Sequence, residues 1–212
     1  MEEIMELKVD ALTKIIRGVT VLENISCTFV SGTIYGVVGK NGSGKTMLLR
    51  ELAGLIHPTA GSVTVDGKRL HRDLDFPQNL GILIEKPEFI PYLTGLENLK
   101  LLAEIRRIAT EDTIRDWMKR FSLNPDSKLP IKKYSLGMKQ KVGIIQAIME
   151  DLEILILDEP FNALDEASVD FLRKLLLQYR DEGKLIILTS HHKADIDAVC
   201  SQILTLEEGR LV

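Results

Sequence analysis

A single octapeptide, Gly39-Lys40-Asn41-Gly42-Ser43-Gly44-Lys45-Thr46, dictates the architecture around it. It follows a β-branched run at 33–38 and opens a helical stretch at 45–53, which Gly54 stops and Pro58 follows. Strand, glycine loop and helix in that order are the context a P-loop needs. The spacing has a mechanical reason. Glycines let backbone N–H groups curl around an anion without Cβ clashes, and the helix start adds unpaired donors and the positive end of a dipole. Lys45 supplies a mobile charge for outer phosphates, and the Thr46 hydroxyl can face Mg2+. Gly39, Asn41, Gly42, Ser43, Gly44, Lys45 and Thr46 are therefore the candidate triphosphate-binding set, against the plainer alternative of a turn that only joins strand to helix.

A second element completes this chemistry. Ile154-Leu155-Ile156-Leu157 is a continuous apolar run of the kind buried on both faces of a sheet, and it ends in Asp158-Glu159. Asp158 at the strand's end can hold the water shell of Mg2+ beside the loop, and Glu159 can orient and deprotonate an attacking water. Taken alone, two acids after an apolar run fit a solvated strand end equally well. Their weight comes from the pairing with Lys45.

Composition closes off other classes. The chain has 212 residues, 45% of them hydrophobic and 27% charged, enough for one sizeable α/β domain with a smaller insert and against disorder. The formal net charge of -4 lacks the basic excess that attraction to nucleic acid needs, so no nucleic-acid partner is expected. Cys27 and Cys200 have no metal-ligand spacing and read as reduced thiols. The start, Met1-Glu2-Glu3, has the wrong charge for a secretory signal, and the longest apolar runs fall far short of the ~20 residues that span a bilayer. Service to a membrane would have to pass through partners.

The remaining pattern alternates. Short β-branched segments fill the first part, with turns at Ser31-Gly32 and Asp66-Gly67. The middle third is helical: Thr94 and Glu97 have the capping-box spacing before Leu96, Leu99, Leu102 and Ala103, and Ile114, Trp117, Met118 and Phe121 repeat at helical intervals. A helix is expected from Ser135 through Met149 and another over 165–179, ended by Gly183 before a buried strand at 185–188. Strand and helix alternate there as a parallel sheet requires.

Between the loop and the acids lies Tyr134-Ser135-Leu136-Gly137-Met138-Lys139-Gln140, which resembles the signature motif of the ABC ATPases; alone, it also fits a serine-capped helix with a glycine for close packing. Asn162-Ala163-Leu164-Asp165 resembles the family's loop at the dimer interface, with Asn162 where a small residue is usual. Leu188-Thr189-Ser190-His191 resembles the segment whose histidine reaches the γ-phosphate, although two histidines after a strand also fit a solvated surface pair. The resemblance runs from about Met5 to Val212. It implies a P-loop NTPase core of mainly parallel sheet (1–84 and 154–212), an N-terminal antiparallel β subdomain and an α-helical insert (90–150), in one ATPase domain. It also implies that Ser135, Gly137 and Gln140 of one copy complete the ATP site of a second copy, a homodimer or a pair of close paralogues, and that Lys45, Glu159 and His191 serve catalysis.

Two positions depart from the family pattern. The residue that should stack on adenine is Ile16, counted back from Val21-Leu22, so the base would meet an aliphatic surface. Glu85 stands where a metal-sensing glutamine is usual; with Thr46 and Asp158 it forms the candidate Mg2+ set, and it also fits an exposed loop acid. With Glu85 and the segment 135–140 the chain looks most like ATPases of bacitracin-resistance and lantibiotic-immunity exporters. The expected setting is the inner face of the cell membrane, with ATP and Mg2+ as cofactors and integral membrane permeases as partners. The competing function, a soluble ABC ATPase acting on ribosomes or DNA, usually needs tandem domains or a long coiled coil that 212 residues do not hold.

Overall fold

The computed structural model describes residues 5–212; the acidic start weighed above as a secretory signal lies outside the described residues. In chain order the first half contains β1 (Glu6–Ile16), β2 (Val19–Val30), β3 (Thr33–Val38), α1 (Lys45–Leu52), β4 (Ala60–Val65), β5 (Lys68–Arg69), β6 (Leu80–Leu83) and α2 (Gly95–Arg106). The second half contains α3 (Glu111–Arg120), α4 (Leu136–Ile148), β7 (Ile154–Leu157), α5 (Glu166–Asp181), β8 (Leu185–Thr189), α6 (Lys193–Val199), β9 (Gln202–Glu207) and β10 (Arg210–Leu211).

The strands form two sheets. A six-stranded sheet has the order β10-β9-β3-β8-β7-β6, parallel throughout except for the terminal β9–β10 pair. An antiparallel sheet has the order β2-β1-β4-β5. The expected α/β architecture is therefore present: a mainly parallel core, an antiparallel β layer from the N-terminal part, and the helices α2–α4.

Alternation along the buried strands explains the layering. Ile154 and Ile156 of β7, with Leu185 and Ile187 of β8, face a cluster that also holds Leu7, Leu22 and Phe29 of the antiparallel sheet and Leu48, Leu49 and Leu52 of α1. Leu155, Leu157, Ile186 and Leu188 face the opposite way, onto Leu99, Met118, Val142, Ile145 and Leu176 of the helical layer. All residues of β7 and β8 are buried, so each fully covered Leu or Ile contributes about 1.5–3 kcal/mol relative to exposure. This two-sided burial is why both strands read as unbroken apolar runs.

Local chemistry fixes the ends of the elements. Thr94 Oγ1 accepts from Glu97 N–H at 3.2 Å while Glu97 Oε2 accepts from Thr94 N–H at 2.7 Å, a complete capping box on α2. Asp66 and Gly67 both have positive φ, 48° and 74°, as a two-residue hairpin between β4 and β5 requires. Ser135 and Asp165 cap α4 and α5 through the N–H groups of Met138 and Ser168. In the core sheet, β3, β8 and β7 are adjacent and parallel, so the loops after all three open on one edge.

Candidate functional site

The loop after β3 needs its glycines. At Gly39 an added Cβ would stand 2.2 Å from the Leu206 carbonyl oxygen and 2.6 Å from Ser43 Oγ, so no side chain fits. Gly44, the residue before α1, has φ 104° and would drive a Cβ to 2.9 Å from the Val21 carbonyl oxygen, where the β1–β2 hairpin packs on the loop. Within this turn Lys45 is buried, and its Nζ donates to the carbonyl oxygens of Gly39 and Lys40 at 2.8 and 3.1 Å. Ser43 Oγ is buried without a hydrogen-bond partner among the described residues. A cavity of about 680 Å3 opens against the loop, walled by Lys40, Asn41, Gly42, Ser43, Glu207 and Arg210.

The loop after β7 meets α1 directly. Thr46 Oγ1 donates to Asp158 Oδ2 at 2.8 Å, and Thr189 Oγ1, at the end of β8, donates to Asp158 Oδ1 at 2.6 Å. Thr189 Oγ1 also accepts the N–H of Glu159 at 2.9 Å, which holds Glu159 in a left-handed conformation with φ 50°. Thr189 lay within a quoted segment but had no role in the sequence reading; the signal was a lone hydroxyl closing an otherwise aliphatic strand.

Glu159 and His191 face each other. The backbone N–H of His191 donates to Glu159 Oε2 at 3.1 Å, and His191 Nε2 lies 3.1 Å from Glu159 Oε1. The second approach is not aligned as a hydrogen bond, so Oε1 is a buried acceptor without a hydrogen-bond partner among the described residues. Burial pushes the Glu159 carboxyl up from its ordinary range, opposed by the N–H and charge of His191 and by Lys45. A carboxylate with one oxygen engaged and the other open, and with raised basicity, can take a proton from a water.

The remaining candidates fall into two groups. Ser135 is exposed at the start of α4, and Gly137 lies so close to the 162–165 loop that a Cβ would stand 2.4 Å from the Ala163 carbonyl oxygen. Gln140 turns inward: its Nε2 donates to the carbonyl oxygens of Glu159 and Pro160 at 3.0 and 3.2 Å. Lys141, absent from the sequence reading, pairs with Asp165 at 2.6 Å, and together with Ser168 it holds that carboxyl well below the usual carboxylate range. The other group is not drawn into the Thr46–Asp158–Glu159 cluster. Ile16 sits half-exposed at the end of β1, opposite Val19, and Glu85 makes an ion pair with Arg50 of α1 at 2.7 Å.

The hard-oxygen pair of Thr46 and Asp158 fits Mg2+, which binds through one or two carboxylates plus phosphate and water. No cluster of three or more His, Cys, Asp or Glu is arranged as a metal cage among the described residues.

Comparison with known proteins places the chain in a family. The family model "ABC transporter" matches residues 22–162. An uncharacterized ABC transporter ATP-binding protein, YybJ of Bacillus subtilis (strain 168), is 50% identical over 200 residues, covering 94% of this chain and 92% of that protein. The bacitracin transport ATP-binding protein BcrA of Enterococcus faecalis is 35% identical over 214 residues, 100% of this chain and 69% of that protein. The dimeric ATP-binding cassette MJ0796, bound to ADP and Pi, shares the fold with a TM-score of 0.82 at 24% identity, covering 97% of this chain and 96% of that one. The glycine loop after β3, the acids at the end of β7 and the capped helix between them thus belong to an ATP-binding ATPase domain, and this chain belongs to the ABC transporter family.

Proposed function

We propose that this chain binds Mg2+-ATP on the 39–46 loop, pairs head to tail with a second ATPase subunit, and hydrolyses ATP to drive substrate movement through separate membrane subunits. Lys45 releases its two loop carbonyls and turns to the outer phosphates. Thr46 and Asp158 would hold the cation, which would supply positive charge beside the phosphates. Glu159 accepts the proton of the attacking water, with His191 holding water and carboxylate in register. Ser135 and Gly137 of the second copy close over the nucleotide, which fits the place of Ser135 at an exposed helix start. The pairing closes by two-fold symmetry.

Transport itself rests on partners, since no helix among the described residues is long and apolar enough to cross a membrane. The protein would therefore work at the inner face of the membrane, against permease subunits. Similarity to the bacitracin transport protein supports export of a peptide antibiotic or lantibiotic as the substrate class.

The observation that carries this function is the open, buried oxygen of Glu159, 3.1 Å from His191 Nε2 and on the residue that follows the Thr46-bonded Asp158. Glu159→Gln should keep ATP binding while lowering turnover by about 10²–10⁴-fold. Gel filtration with ATP should then show a trapped dimer. A variant that stays monomeric with ATP and hydrolyses at the normal rate would reject the base and the pairing together.

A further inference from the structure

His191 is a half-exposed side chain, 45% accessible, so packing does little to fix its imidazole. Its position over Glu159 must be set by the backbone of the short loop between β8 and α6. That loop is anchored by groups the proposed chemistry does not use. Ser190 is buried; its Oγ accepts the N–H of His192 at 3.1 Å and donates to Asp195 Oδ2 at 3.2 Å. Asp195, buried in the first turn of α6, receives Arg173 Nη2 of α5 on its other oxygen at 2.6 Å. Arg173 also reaches Asp170 at 3.4 Å, and its buried Nε has no hydrogen-bond partner among the described residues. The hydroxyl of Ser190 thus ties the residues on both sides of His191 to a partly buried ion pair spanning two helices.

We infer that Arg173, Asp195 and Ser190 form a positioning clamp for His191, acting on turnover through the histidine and not on nucleotide binding. The physical argument is one of precision. A reacting group misplaced by about 1 Å can cost on the order of 10²-fold in rate, and the other contacts of this exposed residue are to Glu159, the very group it has to position. A buried carboxylate with both oxygens engaged by separate elements is a stiff anchor, since breaking either contact leaves a buried charge short of a partner. A purely structural role, joining α6 to α5, would use the same ion pair but would not require the hydroxyl of Ser190 to bridge toward the N–H of His192.

This inference rests on the role given to His191, and the test separates the two. In the full-length protein, Ser190→Ala removes one hydroxyl and should lower kcat by about tenfold to a hundredfold, with KM for ATP within about twofold. Asp195→Asn and Arg173→Met should show the same split, and Arg173→Lys, which keeps the charge, should recover most of the rate. In a His191→Ala background Asp195→Asn should cost nothing further. Wild-type turnover in Ser190→Ala and Asp195→Asn alongside a slow His191→Ala would overturn the clamp and leave the histidine's role standing. Parallel losses of kcat and ATP affinity would also overturn it, as would an undiminished Asp195→Asn effect without His191. Wild-type turnover in His191→Ala would remove both.

Discussion

The side-chain amide of Gln140 lies 3.0 Å from the carbonyl oxygen of Glu159 and 3.2 Å from that of Pro160, so the helix that begins at Ser135 is bonded to the backbone of the proposed base. Any shift of α4 on docking to a second copy would be felt at Glu159. Gln140→Ala removes two donors in a buried place and should destabilise the fold by about 1–3 kcal/mol, read by urea unfolding, with a fall in kcat larger than the change in ATP affinity. Unchanged kcat in a folded variant would uncouple the helix from the base.

Among the described residues, Lys45 Nζ donates only to carbonyls of its own loop. Lys45→Ala should therefore leave folding nearly intact while weakening ATP binding by at least about tenfold, the worth of one charge-assisted contact. Equilibrium titration with a fluorescent ATP analogue measures this, and retained affinity would overturn the lysine's phosphate role.

Gly137 offers a steric test. An alanine there would meet the Ala163 carbonyl oxygen at 2.4 Å, a backbone atom that cannot swing aside. Gly137→Ala should cost about 1–3 kcal/mol in thermal or urea unfolding and displace the 162–165 loop, reducing the ATP-dependent dimer on gel filtration. Full stability with normal pairing would show that the close approach is not needed.

Glu51 of α1 gives the protein a pH dependence unrelated to catalysis. Its side chain is fully buried, both oxygens lack hydrogen-bond partners among the described residues, and Lys14 Nζ stands 3.8 Å away. Burial pushes its pKa from the ordinary 4.5 to about 7, with Lys14 opposing. The folded chain thus holds this proton more tightly than the unfolded chain. The associated stability is complete below the unfolded pKa and is lost as pH rises through about 7. Between pH 5 and 8.5 the wild type should lose roughly 2–3 kcal/mol that Glu51→Gln, neutral throughout, does not lose. Equal slopes in urea unfolding of both proteins would assign the dependence to other groups.

The sequence carried much of this where a residue type has one physical use. Gly39 and Gly44 occupy positions no Cβ can enter, and the hydrophobic runs of β7 and β8 are unbroken because both faces are covered. Thr94 and Glu97 could be read as a cap because their partners are three residues apart. Contacts between distant segments were not legible in the same way. Nothing in the helical run 45–53 distinguishes Glu51 from a solvent-facing acid; its burial comes from packing against β1 and the turn before β4. The Arg173–Asp195 pair and the inward turn of Gln140 likewise depend on how α5, α6 and α4 meet, which periodicity does not encode. Glu85 could be placed in a metal set only by likeness, and its carboxylate is engaged by Arg50.

Strand order has a final consequence for how this protein is made. The strand that lies between β3 and β7, and so separates the phosphate loop from the acids, is β8, which the ribosome supplies only at residues 185–189. A nascent chain that already contains the loop, the acids and the capped helix still lacks the ladder that brings them to one edge. Such non-local parallel pairing is also slow to form. A polypeptide that stops short of β8 thus holds the loop and the acids without the strand that aligns them.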